Sequence, residues 1–168
     1  MRTSAVPVCA VGLALLALGA AARPALGQTQ GGAPAQRAAT RPEARRSAIA
    51  VEMIGFRSHR GKVLVALFSS AAGFPDAPAK AVRRAEVTIR GRRTSALFRG
   101  LPPGTYAVAV LHDEDGNHKM RMGVFGPKEG YGASRDARGR FGPPRFDDAR
   151  MTLRAGQTLR IRIRMSNP

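Results

Sequence analysis

The densest cluster of side chains able to do chemistry is His112-Asp113-Glu114-Asp115-Gly116-Asn117, where an imidazole, carboxylates and a carboxamide crowd a few consecutive positions. Oxygen donors at Asp113, Asp115 and Asn117 take the first, third and fifth places of a run whose glycine permits the bend, which is how a calcium loop begins. The continuation His118-Lys119-Met120-Arg121 lacks the later carboxylate such a loop needs, and Arg121 would repel a cation there. Two other uses of these residues stay open. Asp113, Asp115 and Asn117 can cap a turn through hydrogen bonds to main-chain amides, or His112 and His118 with Asp113 or Asp115 can hold a transition metal. No cofactor is required by the sequence; calcium at Asp113, Asp115 and Asn117 is the one it best admits.

A second group follows, in which glycines alternate with Tyr131, Phe141 and Phe146 and with Arg135, Arg138 and Arg140. Glycines there allow tight folding while aromatics anchor the segment. The sharper reading is a concave ligand site. Arg138 or Arg140 would meet a carboxylate, phosphate or sulfate through the guanidinium fork, and Tyr131 would stack on a sugar ring. With His112 and Asp113 these residues form the candidate ligand set. His112 also follows the apolar phase of Tyr106, Val108 and Val110, so it can instead close the end of a core with its ring hydrogen-bonded.

The inventory for catalysis is thin. Ser134, His112 and Asp136 could be named as a triad, but their spacing is not diagnostic and no GxSxG elbow exists. Asp147 and Asp148 are adjacent, so in a strand they would point to opposite faces and could not cooperate. No glycine-rich piece carries the lysine and following helix of a phosphate loop. The sequence therefore points away from an enzyme.

The elements that must position these residues read as strands. Ile49, Val51 and Met53 alternate with small or charged residues, and after the polar break Arg57-Ser58-His59-Arg60-Gly61 the alternation resumes at Val63, Val65 and Leu67, predicting a hairpin. Runs 85–89 and 94–98 flank Arg90-Gly91-Arg92 and predict a second hairpin. Leu101-Pro102-Pro103-Gly104 is a turn, after which Tyr106, Val108 and Val110 share a face. Met151 and Leu153 precede a turn at Gly156, and Leu159, Ile161 and Ile163 then alternate with Arg160, Arg162 and Arg164, giving one buried and one charged face. A short helical turn is expected near residues 77–82. About seven strands without sustained helical periodicity predict an all-β protein, a small antiparallel β-sandwich. Its one long loop, residues 114–146, is the expected site region, because long ordered loops in small domains usually carry function.

The chain has 168 residues, enough for one core of ordinary size. Residues 1–27 read as a signal peptide: Arg2, an apolar run from Val6 to Leu18, then small residues at the candidate cleavage points after Ala22 and Gly27. Residues 28–46 contain no large apolar side chain and read as a flexible linker, leaving 47–168 as the sandwich domain. Cys9, the only cysteine, would leave with the leader, so no disulfide is expected. No later run is long enough to span a bilayer. Loss of Arg2 and Arg23 with the leader takes the formal charge from +17 to +15. Such a charge attracts anionic polymers, and export favours lipid or polysaccharide over nucleic acid. The dominance of arginine over lysine also fits the residue bias of a GC-rich genome.

Four stretches, Lys62 to Asp76, Leu101 to Asn117, Lys128 to Phe146, and the closing Asp147 to Leu153, resemble the exported bacterial family known as domain of unknown function 2141. Glu129-Gly130-Tyr131-Gly132 followed by Ala137-Arg138-Gly139-Arg140-Phe141-Gly142-Pro143-Pro144 is the most specific part. The resemblance implies a prealbumin-like or immunoglobulin-like sandwich and brings no established activity. The expected function is a non-catalytic binding module, periplasmic or secreted, for an anionic or carbohydrate partner of the cell envelope. The alternatives are an assembly accessory that binds another protein through a sheet edge, a weak calcium- or metal-binding domain, and a small hydrolase.

Overall fold

The structure, a computed structural model, describes residues 47–168. The expected signal peptide and linker, 1–27 and 28–46, lie outside the described residues. The fold is all-β. Two sheets carry it. In the first, β1 (Ala48–Ile54) lies between β4 (Arg93–Arg99) and β10 (Thr158–Arg164). In the second, the order is β3 (Arg83–Val87), β2 (Lys62–Phe68), β5 (Gly104–Asp113), β8 (Gly130–Ala133), with β9 (Met151–Leu153) pairing the start of β5. Ile49, Val51, Met53, Phe98 and Ile163 of the first sheet share one core with Val63, Val65, Leu67, Val108 and Val110 of the second. The alternation read from the sequence thus supplies both inner faces of a sandwich.

The connections differ from expectation. β1 and β2 do not form a hairpin, because they belong to different sheets. The link between them contains Phe56, only 1% exposed, so it passes over the end of the core and carries the chain to the other layer. β3 and β4 are likewise in different sheets, the link between them tied to β4 by a bridge of Arg90 with Arg93 and by Thr94 Oγ1 donating to Thr88 O, and buried Ile89 draws that link inward in the same way. An apolar side chain in a connection seeks the interlayer space, which a flat hairpin would deny it. The ladders are not all antiparallel either: β1 and β10 run parallel, in register from Ala48 with Thr158 to Ile54 with Arg164. Their great separation in sequence makes a parallel pair possible.

Residues 114–146 are not one loop. They contain a small hairpin of β6 (Met122–Gly123) and β7 (Gly126–Pro127), then β8, then a 3₁₀ turn at Ser134–Asp136. The outer face of the second sheet presents Ala66, Phe68, Ala107, Ala109 and Ala133. Phe74 and the single helical turn α1 (Phe146–Ala149) cover it, with Phe74 edge-on to both Phe68 and Phe146 at 5.4 and 5.8 Å between ring centres. Asp147 and Asp148 therefore sit on an exposed helical turn rather than in a strand. The outer face of the first sheet carries Arg93, Arg99, Arg160, Arg162 and Arg164, all exposed, with Arg162 bonded to Glu52 at 2.8 Å. Among the described residues no helix is long and apolar enough to cross a membrane.

Candidate functional site

The acidic cluster lies at the end of β5, where successive residues point to opposite faces. His112 points inward and is fully buried, edge-on to Phe56 at 5.2 Å. Its Nε2 is 2.9 Å from the Arg60 carbonyl oxygen, which can only accept, so Nε2 carries a proton. Its Nδ1 has no hydrogen-bond partner and is 3.6 Å from Glu114 Oε1. Asp113 points the other way and is 1% exposed. Its Oδ1 accepts from the amides of Gly116 and Asn117 and its Oδ2 from that of His118, so this carboxylate closes the turn that follows the strand. Asp115 Oδ1 accepts from Asn117 N, and Asn117 Oδ1 from Lys119 N.

Glu129, also fully buried, completes this end of the molecule. It accepts from the Glu114 amide at 3.0 Å and the Arg121 amide at 2.9 Å, tying together both ends of the segment between β5 and β8. One oxygen each of Asp113, Asp115 and Glu129 lie within 4.8 Å of one another. All-oxygen chemistry of that kind suits a hard cation such as calcium, but five main-chain N–H groups already occupy the two buried carboxylates. Glu114 makes a two-point bond to Arg57 at 3.0 and 2.7 Å and accepts from Ser58 Oγ at 2.9 Å. The Arg57 hydrogen bond, above all, holds the Glu114 carboxyl at about 2, and the same contact raises the Arg57 guanidinium.

A different set of residues gathers at the 3₁₀ turn after β8. Arg135 and Asp136 both have positive φ, 61° and 51°. Two successive non-glycine residues in that region are costly, so something must hold them. Asp136 Oδ1 accepts from the Arg164 amide at 2.8 Å, and buried Ser134 Oγ donates to Ala149 O and accepts from Val108 N. On one side of the turn, Arg135 and Arg150 line an open depression of about 450 Å³ with Thr105, Met151 and Thr152. Arg135 reaches the Arg150 carbonyl oxygen at 3.4 Å, and Arg150 Nε is 3.4 Å from Asp147. On the other side, Tyr131, Arg138, Asp136, Arg164 and Ser166 line a dimple of only about 10 Å³, and Arg138 donates to Ser166 Oγ.

The structure therefore divides the sequence-derived ligand set. Tyr131 and Arg138 come together beside the turn, whereas His112 and Asp113 are sealed at the end of β5, committed to internal bonds. Arg140 is exposed and lines neither depression. Ser134, His112 and Asp136 make no triad, since each is bonded elsewhere: Ser134 to Ala149, His112 to Arg60, Asp136 to Arg164.

A family described as an uncharacterized protein conserved in bacteria, DUF2141, matches residues 51–161 of the chain. The chain belongs to DUF2141. No curated protein and no solved structure matches it. The DUF2141 match runs from β1 into β10 and so takes in the buried acids, the turn and the arginine-lined depression. The Glu129-Gly130-Tyr131-Gly132 run of this DUF2141 chain now has a physical account. A Cβ on Gly132 would stand 2.7 Å from Ile163 Cγ2, and one on Gly130 would meet Asn167 Oδ1 at 3.0 Å and His112 Cβ at 3.3 Å. Glycine lets β8 lie close against the partner layer, while Glu129 anchors the entry to the strand.

Sequence reasoning missed Glu129, Arg150, Thr105 and Thr152. For Glu129 the signal was present, a lone acid between Lys128 and the glycine run. The others carried none, because β5, β9 and the helical turn converge only in the folded chain.

Proposed function

We propose that this protein is an exported, non-catalytic binding module whose partner is an anionic polymer or glycan of the cell envelope. The observation that carries the reading is the open depression that Arg135 and Arg150 line together with Thr105 and Thr152. Guanidinium forks bind sulfate, phosphate and carboxylate through paired charge-assisted hydrogen bonds, and threonine hydroxyls add donors of adjustable direction. Among the described residues no carboxylate is in the lining, and the nearest one to either guanidinium, exposed Asp147 at 3.4 Å from Arg150 Nε, leaves the other nitrogens of that fork for a ligand. The two left-handed residues that set the turn fit a segment whose shape serves a ligand rather than local stability. Arg138 on the other side of the turn, with the five arginines of the open sheet face, supplies a field that draws a polyanion in.

Calorimetric titration tests this. A sulfated and a uronate-bearing tetrasaccharide should bind in a salt-sensitive way, and a neutral tetrasaccharide of equal length should not. Removing two charged donors in R135Q/R150Q should weaken binding by about tenfold or more. Equal affinity of the variant and the parent would refute the assignment of the site, and absence of binding by either acidic glycan would refute the reading itself.

A further inference from the structure

β6 and β7 form a hairpin outside both sheets, with Met122 opposite Pro127, Gly123 opposite Gly126, and Val124 and Phe125 as the closing pair. Two-residue turns of this size usually carry Asn-Gly or a glycine at the first position, because the backbone demands it. Here the tip holds a β-branched and an aromatic residue. Neither is buried: Val124 is 93% exposed and Phe125 fully so, while Met122 beside them is 63% exposed. The fold gains nothing from apolar side chains at such positions, and the turn would close more easily without them. A cluster of three at a protruding tip marks a contact made outside the molecule.

The surroundings say what kind of contact. Lys119, Arg121 and Lys128 flank the hairpin, all exposed, and the only exposed carboxylate in residues 115–128 is Asp115, 3.9 Å from Arg121. The nearby Glu129 is buried on main-chain amides and Glu114 is held by Arg57. The stem of Lys128 lies over Gly123, where a Cβ would come within 2.6 Å of Lys128 Cε. The base of the hairpin is fixed: the Lys128 amide donates to Arg121 O at 2.7 Å, the Arg121 amide to Glu129 at 2.9 Å, and Arg57 to Lys128 O at 2.6 Å. An apolar tip is thus presented on a tethered stalk with cations at its shoulders.

We propose that the Val124-Phe125 tip inserts into the headgroup region of an anionic lipid bilayer, with Lys119, Arg121 and Lys128 meeting lipid phosphates. A convex tip of two or three side chains needs a shaped pocket in a protein partner but none in a bilayer, which yields around it. Apolar residues below a ring of cations match the vertical order of such a membrane, acyl chains beneath negative headgroups. This surface is distinct from the arginine-lined depression, and the two proposals stand or fall separately.

The chain contains no tryptophan, so F125W reports on the tip alone. Full-length F125W is mixed with vesicles of phosphatidylethanolamine and phosphatidylglycerol, some with brominated acyl chains. The tip's emission should shift to the blue and be quenched by bromine, whereas L97W, on the half-exposed Leu97 of β4, should do neither. Replacing Lys119, Arg121 and Lys128 with Gln should lower the vesicle affinity of the tip by a factor on the order of 100. The proposal is overturned if F125W emission stays at its free value on vesicle-bound chain, or if V124S/F125S binds the same vesicles as tightly as the parent. Shielding of F125W by a protein in envelope extract, with no response to lipid, would equally overturn it in favour of a protein partner. All the substituted side chains are exposed, so the variants should melt as the parent does, which thermal unfolding checks.

Discussion

At the end of β5, neighbouring acids do opposite things because the strand turns them to opposite sides. Glu114 meets Arg57 and is held at about 2 against an ordinary value of 4.5. A carboxyl whose value is depressed by folding stabilises the native state fully above its unfolded value and loses that contribution as pH falls through the folded one. The Arg57–Glu114 contribution should therefore be complete above about pH 4.5 and fade toward pH 2. Thermal unfolding of E114Q across this range should show a shallower acid-side decline than the parent, with a loss at neutral pH on the order of 1 kcal/mol, as suits a partly exposed pair with good geometry. Asp113 is a different case: its removal in D113A takes the acceptor from the amides of Gly116 and His118 and leaves that of Asn117 only Asp115 Oδ1, opening the turn that the buried carboxylate closes. The expected cost is about 3 kcal/mol, measured by urea unfolding at neutral pH. Asp113, Asp115 and Asn117 were legible as a capped turn from residue type and spacing alone. Glu129 was marked only as a lone acid beside the glycine run, and its role was not legible because its partners are main-chain amides at Glu114 and Arg121 that no side-chain pattern announces.

The alternation of Ile49, Val51 and Met53, and of Val63, Val65 and Leu67, was enough to place both strands and their inner faces. It could not say which strands pair. Phe56 and Ile89 decide that, since each sits in a connection and is buried between layers, turning two apparent hairpins into crossings. β8 escaped notice for the opposite reason, as Gly130 and Gly132 offer no apolar rhythm and serve by having no side chain. Close approach of the same kind governs the first crossing. Gly61 has φ +65°, and a Cβ there would fall 1.9 Å from the Asp113 carbonyl oxygen. G61A should destabilise the fold by about 2 kcal/mol or more and loosen the end of β5, visible as faster amide exchange at Gly116, Asn117 and His118.

For the molecule as a whole, composition announced the excess of positive charge but not its arrangement. The fold sorts the arginines: five stand on an open sheet face, one of which, Arg164, also lines the dimple with Arg138 beside the turn after β8, and Arg135 and Arg150 line a depression with two threonines. The last arrangement is the roomier hollow, about 450 Å³ against about 10 Å³ beside Arg138, and it draws on β5, β9, the helical turn and the 3₁₀ turn together, which is why no single stretch of sequence revealed it. A general basic surface would bind polyanions diffusely, whereas a built site would bind them in one place. Amide-resolved NMR titration of the protein with a sulfated tetrasaccharide separates the two directly. The largest shifts should fall on Thr105, Arg135, Arg150 and Thr152 and saturate together. Shifts spread along Arg160, Arg162 and Arg164, without saturation at the depression, would contradict the account.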